Sequence, residues 1–246
     1  MRRALELAEE GRGSAAPNPV VGAIVVRDGR SVGEGFHRGP GTPHAEVAAL
    51  VQAGELARGA TLYTTLEPCT HFGRTPPCTQ AIVDAGVARV VSALRDPHAI
   101  VDGKGFARLS EAGIRLSEGV RADEAARQLQ AYTKHITTRL PFVVLKMAAT
   151  LDGKVAARDG TSRWITGEAA RADAHRLRAA SDAVLVGSGT ALADDPSLTV
   201  RDATPPEHPP LRVLVDPRGR VDERHRLFDG SAPTLVATTD RSSEER

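Results

Sequence analysis

The chain has 246 residues, enough for one large core or two modest ones, and its 32 Lys and Arg balance 31 Asp and Glu. That balance gives no global field to draw in nucleic acid or an anionic membrane, and 3% aromatic content leaves few stacking platforms for a single-stranded polymer. No apolar run approaches the roughly 20 residues that span a bilayer, and the N-terminus is acidic where a signal peptide would be apolar, so a cytoplasmic location is expected.

In chain order, "RRALELAEEGRG" reads as a short helix stopped by glycine. Two β-branched runs, Val20–Val26 and Ser31–Phe36, flank Asp28-Gly29 and predict a hairpin. A helix starts at or near His44, and "ATLYTTLEPC" is a strand running into a Pro-Cys turn. Residues 78–85 form a second helix and "ARVVSALRD" a strand. Beyond them come a helix near 103–112, a strand near 114–117 and a helix near 121–134. Strands and helices alternating at these lengths predict a layered α/β sheet. Pro141 discourages a continuing helix, which puts a domain boundary near residue 140. A strand is predicted over Phe142–Ala148, a helix over "GEAARADAHRLRAAS", and a strand in "DAVLVGSGT" that leads into a loop of small residues. Further strands are predicted in "LRVLVDPRGR" and over Thr234–Thr238, with "RDATPPEHPP" as a Pro-rich surface loop.

The chain has two cysteines, Cys69 and Cys78, and both follow a His-x-Glu. In a cytosolic chain, closely spaced cysteines more often bind metal or do redox chemistry than form a disulfide. A catalytic zinc takes three protein ligands and leaves a position open, and His44, Cys69 and Cys78 offer three with no third cysteine to close the shell. Glu46, two residues after His44, is placed to move a proton rather than to ligate. Zinc nucleobase deaminases divide the work in this way. Cys78 opens a helix, whose positive end is expected to lower its thiol pKa. Eight residues separate the cysteines where the common signature has two, so a loop over the pocket is expected, able to contact a substrate. Two other readings stay open on these residues: a zinc deaminase acting on cytidine or tRNA, and a non-catalytic protein stabilised by zinc. In the latter the metal would have four protein ligands and Glu46 would point away.

Together "TLEPCTHFGRTPPC", "PNPVVGAIVV", "GEGFHRGPGTPHAEV", "LKMAATLDGK", "SRWIT" and "LADDPSLTVR" resemble the bifunctional deaminase/reductase family of riboflavin biosynthesis. The resemblance implies a cytidine-deaminase-like three-layer α/β/α domain over 1–140. It also implies the N-terminal part of a dihydrofolate-reductase-like α/β domain over 141–246. The first would deaminate 2,5-diamino-6-(5-phosphoribosylamino)pyrimidin-4(3H)-one hydrolytically with zinc. The second would reduce the ribosyl group with NADPH, the alternative being a chain that only deaminates.

Matched by motif, His44, Cys69 and Cys78 are the zinc ligands and Glu46 the proton shuttle, while Asn18, His37, His71 and Arg74 line the substrate pocket. The family commonly has lysine at Arg74, and usually Asn at His98. In the second domain Ser162, Arg178, Leu198 and Arg201 match substrate positions, and Lys146, Ala148, Trp164, Thr166, Thr190 and Asp194 cofactor positions, with Asp152 beside them. A small-molecule substrate and a homo-oligomer are implied, with no nucleic-acid or membrane partner.

Overall fold

The computed structural model describes residues 1–162 and 164–240, and the chain divides into two compact units, Met1–Val143 and Val144 onward. The first is built on a five-stranded mixed sheet. Its strands are β1 (Gly22–Arg27), β2 (Arg30–Phe36), β3 (Thr61–Thr64), β4 (Arg89–Ser92) and β5 (Arg115–Ser117), in the order β2-β1-β3-β4-β5. The β1–β2 and β1–β3 pairs are antiparallel, and β3–β4 and β4–β5 parallel. The hairpin turns at Asp28-Gly29, both at positive φ, as a two-residue turn matching strand twist requires.

Successive residues of a strand face opposite sides, and here each side meets its own helix. Ala23 and Val25 cluster with Ala45, Ala49 and Leu50 of helix α2 (Ala45–Ala53), whereas Ile24 clusters with Ala4 and Leu7 of helix α1 (Arg2–Glu9). Close approach depends on glycine: a Cβ on Gly35 would lie 2.5 Å from the Ala45 carbonyl oxygen and 2.7 Å from the Ala49 nitrogen. That packing seats the first turn of α2 against β2. Leu62 of β3 and Ile82 of helix α3 (Cys78–Asp84) are fully buried in the same core, each worth roughly 1.5–3 kcal/mol. Helix α4 is Lys104–Glu111. The helix expected near 121–134 is two, α5 (Ala122–Gln128) and α6 (Gln130–Thr138). The chain departs from helical geometry at Leu129, which is 1% exposed in the core.

The second unit holds helix α7 (Glu168–Ala179), helix α8 (Ser188–Asp194) and a parallel sheet β6 (Ala183–Gly187), β7 (Leu211–Val215) and β8 (Thr234–Ala237). Two expectations fail here. The small-residue stretch after β6 is helical from Ser188 rather than a loop. Phe142–Ala148 forms no strand, and Val143 and Leu145 are 78% and 82% exposed. Strand preference is largely packing against neighbouring strands, and no strand among the described residues pairs with this segment. No helix among the described residues is long and apolar enough to cross a membrane.

Candidate metal centre

Three element ends deliver the cluster. His44 is the N-cap of α2, in extended geometry, and its imidazole makes no capping bond. Cys69 lies on the turn after β3, and Cys78 is the first residue of α3. The turn and the helix are stitched together by Thr79 N–H donating to Cys69 O at 3.1 Å and Cys78 N–H donating to Cys69 Sγ at 3.4 Å. His44 Nδ1 is then 3.2 Å from Cys78 Sγ and 3.5 Å from Cys69 Sγ. Among the described residues these three ligand atoms form the one such group, all within 4.8 Å of one another. A tetrahedral ion held at about 2.3 Å by sulfur and about 2.0 Å by imidazole sets its donors about 3.5 Å apart, so the cluster fits zinc.

Glu46, in the first turn of α2, is 3% exposed. Its Oε2 lies 3.5 Å from Cys78 Sγ, and Thr64 Oγ1 points to its Oε1 at 3.3 Å and to Leu66 O at 3.0 Å. Burial pushes the Glu46 pKa above the usual carboxylate range. Of the two thiols, Cys69 is the acidic one. A hydrogen bond from Cys78 and then one with His44 together bring it down to about 4. Cys78, as the donor and the more buried thiol, is pushed up. The helix-end expectation for Cys78 is therefore corrected: donation to Cys69 and burial outweigh the helix end. Contact with Cys69 raises the His44 pKa.

Other anticipated residues divide between contact and support. Asn18, half-buried, has its Nδ2 2.9 Å from His37 Nε2, and His37 Nδ1 lies 3.3 Å from Pro43 O. His37 is 3% exposed with both ring nitrogens engaged, and burial lowers its pKa, so it backs Asn18 from inside the protein. His71 and Arg74 are exposed on the loop between the cysteines. His98 Nδ1 accepts from the Ile100 amide at 3.1 Å, a local turn bond.

Sequence reasoning missed Thr64, Thr75 and Glu67. Glu67 is 3% exposed and accepts from the amides of Asp96, Gly103, Gly105 and Phe106 at 2.8–3.3 Å, tying the Cys69 turn to the start of α4. Its signal is a carboxylate immediately before Pro-Cys, just past the end of β3.

In the second unit Arg178, Leu198 and Arg201 come together. Arg178 donates to Thr199 O, Arg201 N–H donates to His175 Nδ1 at 3.0 Å, and Arg201 reaches Ser197 Oγ at 2.6 Å. Burial and then the neighbouring Arg201 charge lower the Arg178 pKa. Leu198 is 5% exposed at φ +52° and belongs to the buried cluster with Ala191, Leu214, Val221 and Leu227. Trp164 stacks under the Arg171 guanidinium at 4.4 Å, and Arg171 also donates to Thr166 O at 2.7 Å. Lys146 is exposed and Ala148 half-buried on the irregular stretch, Ser162 is half-buried, and Thr190 and Asp194 are exposed on α8. Among the described residues no hydrogen bond, ion pair or ring contact joins Lys146, Trp164 or Thr166 to Thr190.

Residues 1–94 match the model of the cytidine and deoxycytidylate deaminase zinc-binding region, and residues 141–246 that of the RibD C-terminal domain. The riboflavin biosynthesis protein RibD of Escherichia coli (strain K12) is 47% identical over 256 residues, covering 100% of this chain and 70% of its own length. That of Aquifex aeolicus (strain VF5) is 50% identical over 239 residues, covering 97% of this chain and 67% of its own. Among solved structures, a diaminohydroxyphosphoribosylaminopyrimidine deaminase/5-amino-6-(5-phosphoribosylamino)uracil reductase from Thermotoga maritima superposes with a TM-score of 0.91. It is 44% identical and covers 100% of this chain and 69% of that one. Acinetobacter baumannii RibD, form 1, gives a TM-score of 0.86 at 46% identity, covering 96% and 68%.

Proposed function

This chain belongs to the RibD family of riboflavin biosynthesis proteins, and on that premise we propose that its first unit is the family's zinc deaminase and its second contributes to the NADPH-dependent reductase. The substrate of the first is 2,5-diamino-6-(5-phosphoribosylamino)pyrimidin-4(3H)-one, which loses its amidine amine as ammonia and gains a carbonyl oxygen from water. The observation that carries this reading is the convergence of His44 Nδ1, Cys69 Sγ and Cys78 Sγ beside the buried, non-ligating Glu46 carboxylate.

His44, Cys69 and Cys78 hold the ion. When bound, zinc supplies Lewis-acid activation of a water for attack on the amidine carbon. Glu46 takes one proton from the attacking water and delivers it to the ring nitrogen, then passes the remaining hydroxyl proton to the amine, which departs as ammonia. A carboxyl whose pKa burial raises above the usual range suits both halves of that shuttle. Asn18, with its amide nitrogen turned to His37, leaves its carbonyl oxygen free to accept from a donor on the pyrimidine. Arg74 and His71, exposed on the loop between the cysteines, take the phosphoribosyl arm. In the second unit, Arg178 and Arg201, which both donate to Thr199, take the phosphate of the phosphorylated intermediate.

Purified protein is incubated with the diaminopyrimidine substrate, with and without NADPH. Ammonia release in both arms is expected, and NADPH consumption marks a working reductase. A zinc-loaded protein that deaminates cytidine but not this substrate overturns the assignment.

A further inference from the structure

A metal-ligating imidazole must offer an unprotonated nitrogen to the ion, so its other nitrogen carries the proton and needs an acceptor. In His44 the atom facing the two sulfurs is Nδ1, at 3.2 and 3.5 Å. The atom left over is Nε2, and Thr75 Oγ1 lies 3.3 Å from it. We infer that Thr75 is a positioning residue of the metal centre: its hydroxyl accepts the Nε2 proton of His44 and holds the imidazole in the tautomer and orientation that turn Nδ1 to the ion. The inference rests on the zinc reading proposed above.

The surroundings of Thr75 suit that role. It comes from the loop between the two cysteines, three residues before Cys78, and is half-buried where Gly73, Arg74 and Pro76 on either side are exposed. Its carbonyl accepts from Gly73 N–H at 3.2 Å, closing a tight turn, and Pro76-Pro77 restrict the chain on its other side before α3 begins. The His44 ring also meets His37, edge-on at a centroid distance of 5.2 Å and itself fixed by Asn18 and Pro43. The imidazole is thus contacted by both a buried histidine and the loop hydroxyl. The long loop is part of the metal centre as well as a border of the substrate pocket, which gives the wide cysteine spacing a second physical reason.

The test measures zinc affinity by chelator competition for the wild type, Thr75→Val and Thr75→Ser. Valine keeps the shape of threonine and removes the acceptor, whereas serine keeps the hydroxyl. Thr75→Val is expected to bind zinc about 10- to 100-fold more weakly, with Thr75→Ser close to wild type. Equal affinity in Thr75→Val overturns the inference. A measurement needing no variant is the ring-nitrogen NMR spectrum of the zinc-loaded wild type. It should show His44 protonated at Nε2 with a slowly exchanging proton, and an unprotonated or metal-bound Nε2 would overturn the inference equally. A wild-type protein that binds no zinc would instead sink the metal reading itself, so the two failures are distinguishable.

Discussion

Two regions of this chain carry functional motifs of equal clarity and differ in how they are held. The His44, Glu46, Cys69 and Cys78 group sits at the ends of elements locked into a core whose central side chains, such as Leu62 and Ile82, are fully buried. The stretch "FVVLKMAATLDGK" carries Lys146 and Ala148, yet runs without regular structure, its apolar side chains largely exposed. A ligand that is an N-cap or a first helical residue inherits its position from a short piece of sequence. A ligand on a strand inherits its position from whichever strand pairs with it, and that partner can be far along the chain.

The difference can be broken or sharpened by substitution, beginning with the chemistry. Glu46→Gln should retain zinc and lose about 10²- to 10⁴-fold or more in kcat, read by ammonia release alongside metal content. Retained activity would remove the proton-shuttle role. Cys78→Ser, at a fully buried ligand, should lose zinc and lower the melting temperature together, which metal analysis and thermal unfolding check on the same sample.

Packing comes next. Leu62→Ala, at 0% exposure, should destabilise the first unit by about 2–5 kcal/mol in denaturant unfolding. Leu145→Ser, at 82% exposure, should change stability by less than about 0.5 kcal/mol. A large effect at Leu145 would mean that the segment is packed in solution and that the two regions are held more alike.

These contrasts also explain what was legible in the sequence. The hairpin at Asp28-Gly29, the helix starts at His44 and Cys78 and the three metal ligands are local signals: turn chemistry, a helix boundary and ligand identity within short spacings. The break at Leu129, the buried position of His37 behind Asn18 and the failure of 142–148 to form a strand depend on tertiary partners that periodicity does not report. The assignment of the acidic thiol to Cys69 belongs with them, since it follows from donation across the pair rather than from the helix end at Cys78. Thr75 was in view as part of the loop, but only the distance to Nε2 gives it a role.

The smallest effect concerns Asp96, 6% exposed and accepting from His98 N–H at 2.9 Å and Tyr132 Oη–H at 3.0 Å. Burial raises its pKa above the ordinary carboxylate value. A carboxyl shifted upward by folding gives its stabilisation below the unfolded pKa and loses it as pH rises through the folded one. Asp96→Asn should therefore gain in melting temperature relative to wild type as pH rises across that window, then level off. A difference independent of pH would contradict the buried-carboxyl account.

The most direct measurement is ammonia release from the diaminopyrimidine phosphoribosyl substrate by wild-type protein and by Glu46→Gln, each carrying the same amount of zinc. Turnover by the wild type and none by the variant is the predicted result. Equal release by both, or none by a fully zinc-loaded wild type, would contradict the claim that this cluster is a deaminase centre.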